Sequence, residues 1–190
     1  MTDIDDYRNA AEMYRPDSIR VLFVAESPPA FSDEARRSYF FFVPNPGRDI
    51  LFATLVKAVL DEDYRKGDGN KGDLLCRFQS EGYWLMDAVE YPINRAGGRR
   101  MSDSERAPVI RANVPRFLAR LDRLRNDGVL LPSAGIILIK KLVFEVLRDP
   151  LAAAGHRVLH SRKIDFPKYY RDSDTIRGIR EALEALRPGE

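Results

Sequence analysis

Residues 21–25 read VLFVA, five apolar positions without a break, and Glu26, Ser27, Pro28 and Pro29 follow at once. A short unbroken apolar run bounded by turn formers describes a strand buried on both faces, as in parallel sheets. Residues 83–89 (YWLMDAV, stopped by Pro92) and residues 135–139 (GIILI) have the same character, and a fourth run starts over residues 157–160 and reaches toward Ile164. Amphipathic stretches lie between the runs, and residues 66–72 (KGDGNKG) read as a flexible polar loop. Residues 48–60 carry Leu51, Leu55 and Val59 at helical spacing, with Phe52 and Val56 beside them. Ser104 is a candidate cap for the next helix, with Pro108 in its first turns. That helix places Ile110, Val114, Phe117, Leu121 and Leu124 on one stripe, and Arg116, Arg120 and Arg123 on a face read as solvated. A further helix follows residues 135–139, and residues 174–186 form the closing one. Strands alternating with helices predict an α/β chain, a three-layer α/β/α sandwich with a mostly parallel four-stranded sheet. With 190 residues, no repeat and no dividing linker, it reads as a single domain over 1–190.

Composition narrows the function classes. Hydrophobic residues make up 44% of the chain, which excludes wholesale disorder. A net charge of +2 announces no nucleic-acid binder by itself, so the placement of charge must decide. The single cysteine, Cys76, excludes an internal disulfide and a cysteine-cluster metal site, and it reads as a helix-packing residue. No apolar run approaches the ~20 residues that span a bilayer, and the first residues lack an apolar signal core. The expectation is a soluble, cytoplasmic monomer without metal or cofactor.

In a parallel sheet, ligands bind at the carboxyl ends of the strands. Glu26 follows the first strand, Asp87 lies near the end of the second, and Phe166 and Pro167 follow the fourth. The run Tyr39-Phe40-Phe41-Phe42-Val43-Pro44-Asn45-Pro46-Gly47 stands ahead of a helix. This order of motifs resembles the uracil-DNA glycosylase superfamily, nearest to its mismatch-specific and family 4-like branches. There, an apolar strand leads into a Gly-Glu-Ala-Pro-Gly type turn, an aromatic stacks on the extruded base, and a Pro-rich loop follows the second strand. The resemblance runs from the first strand to the closing helix. The chain departs from it in three places. Ala25 and Pro29 stand where the first turn has glycines, Phe166 stands where the last motif has His or Asn, and the cysteines that hold an iron–sulfur cluster in two branches are absent.

The resemblance implies an enzyme of DNA repair that flips a uracil or another deaminated or modified base out of DNA and hydrolyses its N-glycosidic bond. Such cleavage leaves positive charge on the sugar and negative charge on the base. Glu26 is the first choice for the carboxylate near the sugar; the plain reading of the same residue is a strand-end acid that caps a loop or pairs with Arg. Asp87 is the second, and a satisfied turn aspartate is its alternative. If the two carboxylates face each other, one pKa should rise. Ser27, Phe41, Phe42 and Phe166 are the candidate base-binding residues. Phe42 aligns best with the stacking position, Phe41 is the other choice, and core packing accounts for some of the run. Arg95, Arg99 and Arg100, around Gly97 and Gly98, suit a phosphate contact, and Lys168, Tyr169, Tyr170 and Arg171 suit the DNA groove. A mobile surface loop and an aromatic patch on the closing helix are the respective alternatives. His156 and His160 read as structural. A non-catalytic base- or DNA-binding relative and a nucleotide or nucleoside hydrolase remain as rival functions.

Overall fold

The structure is a computed structural model and describes residues 3–30, 32, 38–43, 49–96, 99–169 and 172–186. Its strands are β1 (Ile19–Ala25), β2 (Tyr83–Asp87), β3 (Arg95–Ala96), β4 (Arg99–Arg100), β5 (Leu130–Leu138) and β6 (Arg157–Val158). Its helices are α1 (Asp3–Met13), α2 (Ile50–Leu60), α3 (Lys71–Ser80), α4 (Asp103–Asn126), α5 (Lys141–Ala153) and α6 (Ser173–Glu184). The main sheet has the order β2-β1-β5-β6 and every neighbouring pair is parallel. Helices pack around it, giving the three-layer α/β fold. No helix among the described residues is long and apolar enough to cross a membrane.

β1 is central, paired with β2 on one side and β5 on the other. Every residue from Val21 to Ala25 is buried, which is why the run has no alternation. β5 starts five residues earlier than its apolar run, at Leu130. Ile19 pairs with Leu130 but Val21 pairs with Gly135, so the intervening residues of β5 bulge out around Pro132. Proline has no N–H to give a ladder, and a bulge is where a strand tolerates it. β6 is also interrupted. After Val158, the Leu138 N–H donates not to backbone but to Nε2 of His160, at 2.9 Å. Nδ1 of that ring lies 2.7 Å from the Arg162 carbonyl, so it carries the proton and leaves Nε2 free to accept. Pairing resumes at Ile164, opposite Ile139. The structural reading of His160 thus has a specific content: its ring replaces a strand carbonyl.

Three local expectations are corrected. α4 is capped by Ser102 rather than Ser104, in a capping box with Glu105 three residues on. Cys76 is exposed rather than packed. Lys71, within a stretch that reads as a polar loop (KGDGNKG), opens α3 at 1% exposure. Its ammonium pairs with Asp49 at 2.8 Å and donates to the Tyr39 carbonyl at 3.0 Å. Asp49 in turn caps α2 by accepting from the Phe52 N–H at 2.9 Å. One buried pair therefore ties α2, α3 and the aromatic turn together.

Lys71→Met should leave Asp49 buried without its cation, costing about 3–5 kcal/mol in urea unfolding. Lys71→Met combined with Asp49→Asn removes both charges and keeps the cap, so the double variant should be more stable than the single one.

Candidate functional site

Where β1 and β2 end, the chain builds a cleft of about 700 Å³. Ala25 and Asp87 are register partners, and the ladder continues one step beyond the strands, with Val89 N–H donating to the Glu26 carbonyl at 3.0 Å. Glu26 and Asp87 consequently reach the same cleft from neighbouring strands.

Glu26 is 6% exposed. Two cations offset the cost of burying it. Lys140 Nζ contacts Oε2, and Arg106 Nε lies 3.0 Å from Oε1. The second contact is an ion pair without hydrogen-bond geometry between two buried groups. Arg106 is 2% exposed, projects from the first turns of α4 and also contacts Asp103. Lys140 occupies the junction of β5 and α5 with φ 90° and ψ 135°. A non-glycine residue held there costs on the order of 1–3 kcal/mol and persists only where the surroundings impose it.

Asp87 differs from Glu26. No ion pair or hydrogen bond holds its carboxylate among the described residues; Arg120, on α4, donates instead to its backbone carbonyl at 2.6 Å. Withdrawal from water pushes the carboxyl up to about 7, with the charge of Glu26 adding to the rise and that of Arg120 opposing it. Arg120, expected on a solvated face, is thus turned inward, its guanidinium 5.2 Å from the Phe117 ring centre. Behind Asp87 lies a second, smaller cavity of about 200 Å³ between α1, β2 and α4, lined in part by Tyr7, Ala11, Trp84 and Arg120. Asp87 borders both cavities.

Ser27 Oγ accepts from Asn94 Nδ2 at 3.2 Å and fixes that amide on the wall. Phe166, 44% exposed, Pro167 and Lys168 close the far side, and Arg100 stands on the rim. Tyr169 is exposed beside Lys168. Phe41 and Phe42 do not line the cleft; this corrects their assignment as stacking residues. The segment forms a turn, with Phe42 N–H donating to the Tyr39 carbonyl at 3.0 Å. Phe41 packs in the core between Tyr14, Tyr39 and Phe40, and Phe42 packs against it. Tyr39 and Phe40 are the members of the run that line the cleft. Arg95, Arg99 and Arg100 belong to a β3–β4 hairpin rather than a loop. Arg99 is engaged with Glu105, whose carboxyl it holds down at about 2, with help from Ser102. Arg95 is exposed. Tyr170, Arg171, Gly97, Gly98 and the segment 44–48 lie outside the described residues. Arg106, Lys140, Asn94, Tyr39 and Phe40 are among the cleft residues that the sequence did not single out.

No family model, curated protein or solved structure matches the chain.

The raised Asp87 carboxyl has a thermodynamic signature. Its folded pKa, about 7, exceeds the ordinary 3.8, so its contribution to stability is intact below the ordinary value and is lost as pH rises through 7. Asp87→Asn does not titrate. The variant should match the wild type near pH ~4 and exceed it in stability on the order of 1–4 kcal/mol above pH ~7, measured by urea unfolding across that range.

Proposed function

We propose that the protein is a DNA glycosylase-like hydrolase that accepts a base extruded from DNA, a uracil or another deaminated or modified base, and cleaves its N-glycosidic bond. The observation that carries this reading is the cleft itself: Glu26 and Asp87 from adjacent parallel strands, one tied to two cations and the other titrating near neutrality. A pair of carboxylates whose environments set them apart suits one fixed charge and one proton-transfer group. The order of sequence motifs supports the same reading, and so does the cleft volume, which lies in the range of small-ligand sites.

In this reading Asp87 is the general base. The C1′–N bond breaks and its electron pair leaves with the base. A water oxygen bonds to C1′, and the Asp87 carboxylate takes the water's proton. Glu26, fixed by Arg106 and Lys140, supplies negative charge beneath the cationic sugar. Asn94, oriented by Ser27, offers an amide to the base edge. Phe166 and Phe40 supply apolar walls, and Arg100 and Lys168 face the phosphates at the rim. One observation favours a second reading, a base- or DNA-binding protein without turnover: Phe166 has no polar atom with which to hold a leaving base.

The test is a panel of labelled oligonucleotides, single- and double-stranded, carrying uracil, hypoxanthine, xanthine or a thymine–guanine mispair, followed by alkaline cleavage. Base release should rise with pH and level off above about 7, where Asp87 is ionised. Asp87→Asn should lower it about 10²–10⁴-fold and flatten the pH dependence. Binding without release on every substrate would leave the second reading.

A further inference from the structure

Lys140 occupies a backbone position that suits glycine. Its φ of 90° lies where L side chains are strained. The backbone there is fixed by its own bonds: Ile139 N–H donates to the Val24 carbonyl at 2.9 Å, and Lys140 N–H donates to the Ile164 carbonyl at 2.8 Å. A glycine would keep both bonds without strain. The lysine side chain does not cap α5 either. What it adds is an ammonium group in the cleft, against Oε2 of Glu26.

That ammonium has capacity to spare. Glu26 occupies one of its three N–H donors, and the side chain keeps 22% exposure. Around the cleft, Arg100, Arg106, Lys140 and Lys168 face Glu26 and Asp87, while Asp49 is committed to Lys71. Four cations against two available carboxylates leave positive charge for a ligand. Arg106 is divided between Glu26 and Asp103, so Lys140 is the buried-side cation free to serve it. Glu26, itself tied down, holds the ammonium in place before any ligand arrives, which makes it a preorganised donor.

We propose that Lys140 binds negative charge on a nucleobase in the cleft, donating a hydrogen bond to a ring carbonyl oxygen of a base that is bound, or departs, as an anion. As a statement about the leaving group, this rests on the base-releasing function proposed above. When the C1′–N bond breaks, the electron pair spreads over the base to that oxygen, and Lys140 stabilises it without giving up its proton. This places beside Glu26 the donor that Phe166 does not supply.

The experiment pairs equilibrium binding with base release and melting. The probes are 5-nitrouracil, whose nitro group makes it an anion near neutral pH, and uracil, which is neutral there. Wild type should prefer the anion by about 10- to 100-fold, the worth of one hydrogen bond to a charged group. Lys140→Gly and Lys140→Met should both lose that preference, and Lys140→Arg should keep most of it. Lys140→Gly should melt above Lys140→Met, because only glycine relieves the backbone, so loss of binding would follow the charge and not the stability. A preference that survives in Lys140→Gly, or one absent from wild type, overturns the assignment. A preference that depends on Lys140, in a protein that releases no base from any oligonucleotide, overturns the base-releasing function and leaves the anion site standing. Base release with no anion preference does the opposite.

Discussion

Glu26 leaves the sheet almost fully buried, and a carboxylate there costs several kcal/mol unless cations reach it. The two that do come from separate parts of the chain, Arg106 from the start of α4 and Lys140 from the junction of β5 and α5. Satisfying one charge therefore registers three elements against each other at the carboxyl edge of the sheet. The capping box that starts α4 three residues before Arg106, and the backbone strain at Lys140, both serve that registration. The nearby Lys71–Asp49 pair does the same for the aromatic turn and two further helices. Buried charge in this fold specifies position more than it adds stability.

The sheet was legible because central strands of a parallel sheet are apolar on both faces. Unbroken runs such as residues 21–25 and 135–139 are hard to mistake. The early start of β5 was not legible, because Pro132 and Ser133 look like a turn and become a bulge only when paired with β1. α1 is polar along much of its length and gives little periodic signal, although Tyr7 and Trp84, which donates to the Ala11 carbonyl, fasten it down.

The site was half legible. Glu26 drew notice because a charge ended an apolar strand, and Lys140 ends residues 135–139 in the same way. Applied evenly, that signal finds both. Arg106 offers none, since an arginine in a charged helix start reads as solvated until a carboxylate is placed opposite it. Tyr39 and Phe40 give no separate signal within a run of four aromatics, because the turn that aims them differently exists only in the fold.

Asp87 forms part of the wall between the larger cleft and the smaller cavity behind it. Its proton affinity is consequently set from two sides, only one of which is the cleft it shares with Glu26. Substitutions along the buried side of α1, or at Trp84, alter the water and packing behind the carboxyl without touching the cleft. Such changes move the acidity at which Asp87 ionises while the lining of the cleft stays the same. The polar N-terminal helix, the least conspicuous element in the sequence, is thereby the part of the fold best placed to tune that carboxyl to more acidic or more alkaline surroundings.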